Sequence, residues 1–238
     1  AYDSYQPAFA QLVPTLVAAY HRLGAADPLK ARLAEPVAAL RSWDYRWGVE
    51  SVPTSLAVFW VEALMEALTP ELRAQRTRLA DNMERRTSDG EKLAALAATV
   101  GRLERDFGRW RTPWGEINRF QRLTGDFVQP FSDAAPSIPV GFTSGLWGSL
   151  ASFGSRPSPG TRRWYGTGGN SFVAVVEFGP RVRAVAVTAG GESGDPASPH
   201  FNDQAERYAT GNLREVYFYP EQLRGHTERV YRPGGPRR

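Results

Sequence analysis

Through most of the first hundred residues, apolar side chains recur every three to four positions, the period of a helix rather than a strand. In PAFAQLVPTLVAAYHRL the recurring set is Phe9, Leu12, Val13, Leu16, Val17 and Tyr20. Pro14 lies inside that run. An interior proline removes one helical hydrogen bond and crowds the turn before it, so a kink or a restart is expected there. DPLKARLAEPVAALRSW is a shorter helical run, with Asp27 and Pro28 as its start. SVPTSLAVFWVEALMEAL is the strongest: Leu56, Trp60, Leu64 and Leu68 share one face, with Phe59 beside it. SDGEKLAALAATVGRLERDFGRW lines up Leu93, Leu96, Val100, Leu103 and Phe107. Such stripes are packing surfaces. Residues 1–110 are expected to form a helical subdomain.

The pattern changes at RTPWGEINRF. Residues 111–164 are rich in Gly, Pro and Ser and keep no sustained period, so they read as a connecting region of loops and short strands. Loops this long make sense where they line a cleft or lie against another segment. NSFVAVVEFG and RVRAVAVTAGG then give two apolar, β-branched runs joined through Gly179 and Pro180. They predict an antiparallel hairpin. Their nearly continuous apolar character predicts cover on both faces. Residues 200–211 predict a short helix closing at Gly211 and Asn212. REVYFYPEQLRGHTERVYRPG adds a β-like run, a turn and a last extended piece, and RPGGPRR reads as a frayed tail. The predicted class is α+β, with residues 165–238 as its β-rich part.

Composition narrows the chemistry. The 238 residues suffice for one large domain or two modest ones. Net charge is only +4, and 25 acidic residues face 29 basic ones, nearly all arginine apart from Lys30 and Lys92. No basic run is long enough to track a phosphate backbone, so nucleic acid is not an expected partner. The chain has no cysteine. Disulfides, thiolate nucleophiles and cysteine-ligated zinc are therefore excluded. No apolar run reaches the roughly 18–20 residues of a membrane span. AYDSYQPAFAQ has neither the form of a signal peptide nor an initiator methionine, so the chain is expected to begin inside a longer protein.

The richest candidate chemistry is in GESGDPASPHFNDQAERY, residues 191–208, which holds Ser193, Asp195, His200, Asp203 and Gln204. Triad members normally converge from distant parts of a fold. Ser193, His200 and Asp203 lie within eleven residues, and Glu192-Ser193-Gly194 is not a nucleophile elbow. Three histidines, His21, His200 and His226, lack metal-ligand spacing, so no metal is expected. His21 and His226 read as surface or core-edge residues. YGTGGNSF runs into a strand rather than a helix, which excludes a dinucleotide loop and points to close backbone approach or a bulge. In WGEINRF, Glu116 stands near Asn118 and Arg119 and reads as a salt-bridge partner rather than a general base.

Four strings, in order, resemble the penicillin-amidase-like N-terminal nucleophile hydrolases: LRSWDYRW at 40–47, TPWGEINRF at 112–120, GTGGNSFVAVVEFG at 166–179 and GGESGDPASPHFNDQ at 190–204. The landmark residues are Trp43, Asp44, Trp114, Gly115, Gly191, Ser193, Gly194, His200, Asp203 and Gln204. Glu192 stands where the resemblance leads one to expect Gln.

The resemblance implies an αββα sandwich to which residues 165–238 add strands. It implies a self-cleaving precursor, and a β-chain N-terminal residue that acts as nucleophile with its own amino group as base. Backbone N–H and an asparagine would hold the oxyanion. The matched strings correspond to the C-terminal part of that β chain. No catalytic residue is then expected in this chain, and no cofactor. Its expected partners are the α chain and the N-terminal part of the β chain, or a second copy. A hairpin taken from a larger sheet carries open edges, so the isolated chain is expected to self-associate. The family setting would be periplasmic or secreted, in quorum quenching or antibiotic metabolism. A rival reading is an independent binding module, with Trp110, Trp114, Trp147 and Trp164 lining an exposed cleft in loops 110–165. A third is a stand-alone serine hydrolase built on Ser193.

Overall fold

A computed structural model describes residues 1–227 and Gly234. The extended piece and frayed tail expected after Thr227 lie outside the described residues.

Helices fill the first half, as the apolar period predicts. Helix α1 (Pro7–Arg22) starts on a proline and runs unbroken past Pro14, where a restart was one expectation. Pro14 is exposed, so solvent serves the carbonyl that its missing N–H would have engaged. The second run splits into α2 (Pro28–Arg32) and α3 (Ala34–Arg41). Asp27 caps α2 by accepting the Leu29 N–H at 2.8 Å. Pro36 causes the split, because its ring crowds the carbonyl four residues back. Helix α4 (Val52–Met65) is buried on nearly every side, from Thr54 to Val61 and at Leu64, rather than along one face. Short α5 (Pro70–Ala74) and α6 (Leu79–Arg86) lead to α7 (Asp89–Phe107). A capping box opens α7: Ser88 Oγ accepts the Glu91 N–H, and the Glu91 carboxylate accepts the Ser88 N–H at 2.7 Å. Trp60 Nε1 donates to Lys92 O at 3.0 Å and fastens α4 to α7. The buried Lys92 ammonium donates to Thr87 O at 2.8 Å and to Glu84 O at 3.2 Å, closing the end of α6.

The connecting region holds one turn of helix, α8 (Trp114–Ile117), and four short strands: β1 (Asn118–Phe120), β2 (Ile138–Pro139), β3 (Phe153–Pro157) and β4 (Trp164–Gly169). Their order is β2-β1-β4-β3, with β1 and β4 parallel and the other pairs antiparallel. The glycines of YGTGGN do what close approach requires. A Cβ on Gly166 would sit 2.2 Å from the Phe153 ring, and one on Gly169 would sit 2.1 Å from Ser152 O. The ladder also slips at Gly154 and Ser155.

The expected hairpin forms in full register, β5 (Phe172–Glu177) against β6 (Arg183–Thr188), from Phe172↔Thr188 to Glu177↔Arg183. Two residues, β7 (Arg214–Glu215), extend this sheet on the β6 side. The helix expected at 200–211 is α9 (Ala205–Thr210), closed by Gly211 in the left-handed conformation. The turn expected after β7 is one helical turn, α10 (Pro220–Leu223).

Two apolar cores result. The larger joins α1, α3, α4, α6 and α7 to Trp114, Ile117, Trp147 and Trp164. The smaller gathers Val140, Phe142, Phe153, Val173, Val187 and Tyr208. The α+β class expected from the sequence is the one found.

Cover on both faces of the hairpin is not found. Val173 and Val187 root it in the smaller core, but Phe172, Val175, Val176 and Phe178 are 42–85% exposed. At its distal end the Val182 N–H donates to Tyr219 Oη at 3.0 Å and Arg181 pairs with Glu221, and these contacts leave the four apolar side chains exposed.

Gly169→Ala combines a left-handed φ of +122° with a collision against Ser152 O. It is expected to cost at least about 2 kcal/mol in thermal unfolding. Gly160→Ala, at φ +80° with open space around it, is expected to cost no more than about 1–2 kcal/mol.

Candidate functional site

The loop after β6, residues 190–204, holds six of the ten landmark residues within one hydrogen-bonded unit. Gly191 is pressed so close that a Cβ there would lie 2.2 Å from His200 O and 2.6 Å from Asp203 Oδ1. The Ser193 N–H donates to His200 O at 3.0 Å. Ser193 Oγ accepts the Asp195 N–H at 3.1 Å. His200 Nδ1 meets Asp203 Oδ2 at 2.9 Å, and both side chains are well exposed. The serine hydroxyl thus turns its own loop, and the His–Asp pair stands in water. A triad works in a water-excluded cradle with oxyanion donors around it.

Gln204 is the buried knot. Its Oε1 accepts the Thr188 N–H at 3.0 Å and Arg214 Nε at 3.2 Å. Its Nε2 donates to Glu192 Oε1 at 3.2 Å, and its backbone N–H to Gly190 O at 2.8 Å. Glu192 Oε1 also accepts the Thr188 hydroxyl at 2.8 Å. The Thr188 hydroxyl, then the Gln204 amide, with Arg214 nearby, hold the Glu192 carboxyl below the usual range.

Arg122 was not singled out by the sequence, and it anchors this loop from about seventy residues away. Its guanidinium donates to Phe201 O at 2.6 Å and Ser193 O at 2.9 Å, and lies 4.0 Å over the Phe201 ring. Asn202 Nδ2 returns a bond to Arg122 O at 2.9 Å. Gly125 packs so tightly on Gly194 that a Cβ would sit 2.4 Å from its carbonyl oxygen. An isolated arginine in FQRLTG carries no motif, so only the folded chain identifies it.

The other landmarks meet elsewhere. The Trp114 N–H donates to Ser51 O at 3.2 Å and the Gly115 N–H to Val49 O at 2.7 Å, which brings TPWGEINRF onto the end of LRSWDYRW and the turn after it. A Cβ on Gly115 would press within 3.0 Å of Val49 and Pro139. Trp43 is buried and donates to Arg46 O at 2.9 Å, while Asp44 accepts the Arg46 N–H at 3.0 Å.

Glu116 forms its salt bridge with Arg109 at 2.6 Å, not with Arg119. Arg119 donates instead to Gly115 O at 2.8 Å and Ser137 Oγ at 3.0 Å. Asn118 is fully buried, donating to Val140 O and Phe142 O and accepting the Ser155 hydroxyl, so it has nothing left for an oxyanion. His21 is exposed on α1, and His226 stacks on Tyr217. Among the described residues no acid–histidine group could hold a metal ion, and no helix is long and apolar enough to cross a membrane.

The exposed aromatic cleft of the binding-module reading is not formed. Trp114, Trp147 and Trp164 are each 3% exposed or less, packed into the helical core. Trp110 is half-buried under Arg111.

The family model for penicillin amidase matches residues 1–225. The acyl-homoserine lactone acylase QuiP of Pseudomonas aeruginosa is 27% identical over 154 residues, which is 58% of this chain and 17% of that protein. Thermostable penicillin G acylase from Alcaligenes faecalis aligns with 97% of this chain and 47% of its own, at 16% identity and a TM-score of 0.47. The chain thus spans less than half the length of either.

Because Glu192 is held below the ordinary carboxylate range, its contribution is present above the ordinary glutamate value and is lost as pH falls through the lower folded one. Amide protection factors at Thr188 and Gln204 are expected to drop on acidification through that range. Glu192→Gln keeps the acceptor but has no charge to lose, and should flatten this dependence.

Proposed function

The chain belongs to the penicillin amidase family, and from this we propose that it is scaffold for an acyl-amide hydrolase whose nucleophile lies on another segment. One observation carries the reading: Phe172, Val175 and Val176 of the apolar strand β5, and Phe178 just after it, are open to solvent. An unpaired apolar strand edge is a template for further pairing. The partner that completes it is, in this reading, the rest of an αββα sandwich: the α chain and the N-terminal part of the β chain, both released from one precursor by self-cleavage. Residues 1–110 are then a helical subdomain outside the sandwich, 111–164 the connection, and 165–238 the segment joined to its sheets.

Loop 190–204 supports the same division of labour. Its polar atoms hold the loop together and do not converge on a reacting atom. The reaction of the complete enzyme is hydrolysis of a linear amide, with acyl amides such as β-lactam side chains or N-acyl-homoserine lactones as the substrate class, in the periplasm or outside the cell.

The pure 238-residue chain is expected to release no chromophore from an acyl p-nitroanilide and to take no label from a fluorophosphonate probe. Turnover by the pure chain, or labelling lost in Ser193→Ala, would establish a nucleophile within it and overturn the proposal.

A further inference from the structure

The turn at residues 123–130 holds two apolar side chains out in water. Phe127 is fully exposed and Val128 is 81% exposed. A loose loop could fold such residues away, but this one is braced. Gln129 spends its whole amide inside the turn: Oε1 accepts the Leu123 and Thr124 N–H groups at 2.7 and 3.1 Å, and Nε2 donates to Thr124 O at 3.0 Å and to Asp126 O. Thr124 Oγ1 accepts the Asp126 N–H at 3.3 Å. Gly125 presses on the Gly194 carbonyl, and Arg122 bonds to Ser193 O and Phe201 O. The tip is thus fixed to loop 190–204, and through Gln204 and Thr188 to strand β6 of the hairpin.

Beside the tip lies a cleft of about 550 Å³, bounded by Phe127 and Val128 on one side and by Pro157 and Pro159 of the β3–β4 turn on the other. Phe131 lies in it, its ring stacked on Tyr165 at 5.0 Å. The far wall is braced too: the Thr161 N–H donates to Ser158 O at 2.9 Å, and Thr161 Oγ1 accepts the Ser158 N–H at 2.9 Å. Asp126 next to the tip and Arg156 in the cleft are exposed, and neither side chain has an ion-pair or hydrogen-bond partner among the described residues. An apolar knob and recess with charges of both signs at the rim is the anatomy of a protein–protein contact. Because both walls are already ordered, docking there costs little conformational entropy.

We propose that this tip and cleft are a docking face, separate from the β5 edge, for another segment of the same precursor. Phe127 and Val128 enter an apolar recess on that segment, one of its apolar side chains fills the cleft over Phe131, and its rim sets a cation against Asp126 and an acid against Arg156. The inference rests on the scaffold reading above. Two facts favour this occupant. The chain spans less than half the length of the relatives it matches, so the complete enzyme has chain to spare for the contact. The tip is also fastened to the same hairpin whose β5 edge awaits that partner, so one rigid unit presents both faces.

Photo-crosslinking of the complete enzyme tests it. With Phe127→p-benzoyl-L-phenylalanine, irradiation is expected to join this chain to another segment of the precursor, while the same probe in place of Glu104, exposed on α7, captures none. Phe127→Ser is expected to leave the circular dichroism spectrum and the self-association of the pure chain unchanged, since the side chain is fully exposed, and to lower the urea concentration at which the complete enzyme comes apart. Capture of only a second copy of this chain, capture of nothing, equal capture from both positions, or an unchanged urea midpoint would overturn the proposal. Capture is scored whether or not the enzyme hydrolyses an acyl amide. Activity without capture therefore overturns this proposal alone, and capture without activity overturns only the hydrolase reading.

Discussion

The need to cover α4 on every side organises this molecule. A helix buried from Thr54 to Val61 cannot rest on one neighbour. From one side α7 covers it, fastened by Trp60 to the Lys92 carbonyl. From the other the connecting region covers it, with the Trp164 ring stacked on Phe59 at 4.6 Å. Arg102 lies 4.6 Å over that same Phe59 ring, and Trp114 meets Trp164 edge-on. Because Trp164 begins β4, the helical layer and the first sheet share one core. The tryptophans of the loop-rich segment are structural keys and are not available as an exposed binding face.

The same economy explains the loop that looks most like an active site. Its residues are those of a hydrolase, yet the geometry spends them on the loop itself. Ser193 turns the chain, His200 pairs with Asp203, and Gln204 ties β6 to Glu192 and Arg214. Arg122 then secures the whole unit to the segment after β1. A loop fixed at so many points can hold a neighbouring segment in place without reacting.

Features encoded by local physics were legible in the sequence. The helices of the first half followed from apolar spacing, and the β5–β6 hairpin from β-branched runs around Gly179-Pro180. The αL cap at Gly211 and the glycines crowded against Phe153 and Ser152 were also foreseeable. Features set by distant partners were not. Arg122 acts across about seventy residues and has no local pattern. Pro14 was expected to kink or restart α1, and the helix runs on because that side faces water. The continuous apolar character of β5 was read as burial on both faces, and among the described residues Phe172, Val175 and Val176 stay exposed. The sequence pattern records a contact that the described residues do not supply.

That absent contact is the centre of the account, and sedimentation velocity over a range of concentrations tests it most directly. The account predicts that the pure chain self-associates through β5, and that Val175→Lys, a charge placed on the exposed apolar strand, returns it to monomer without loss of helical content. A chain that sediments as a monodisperse monomer at every concentration would contradict it.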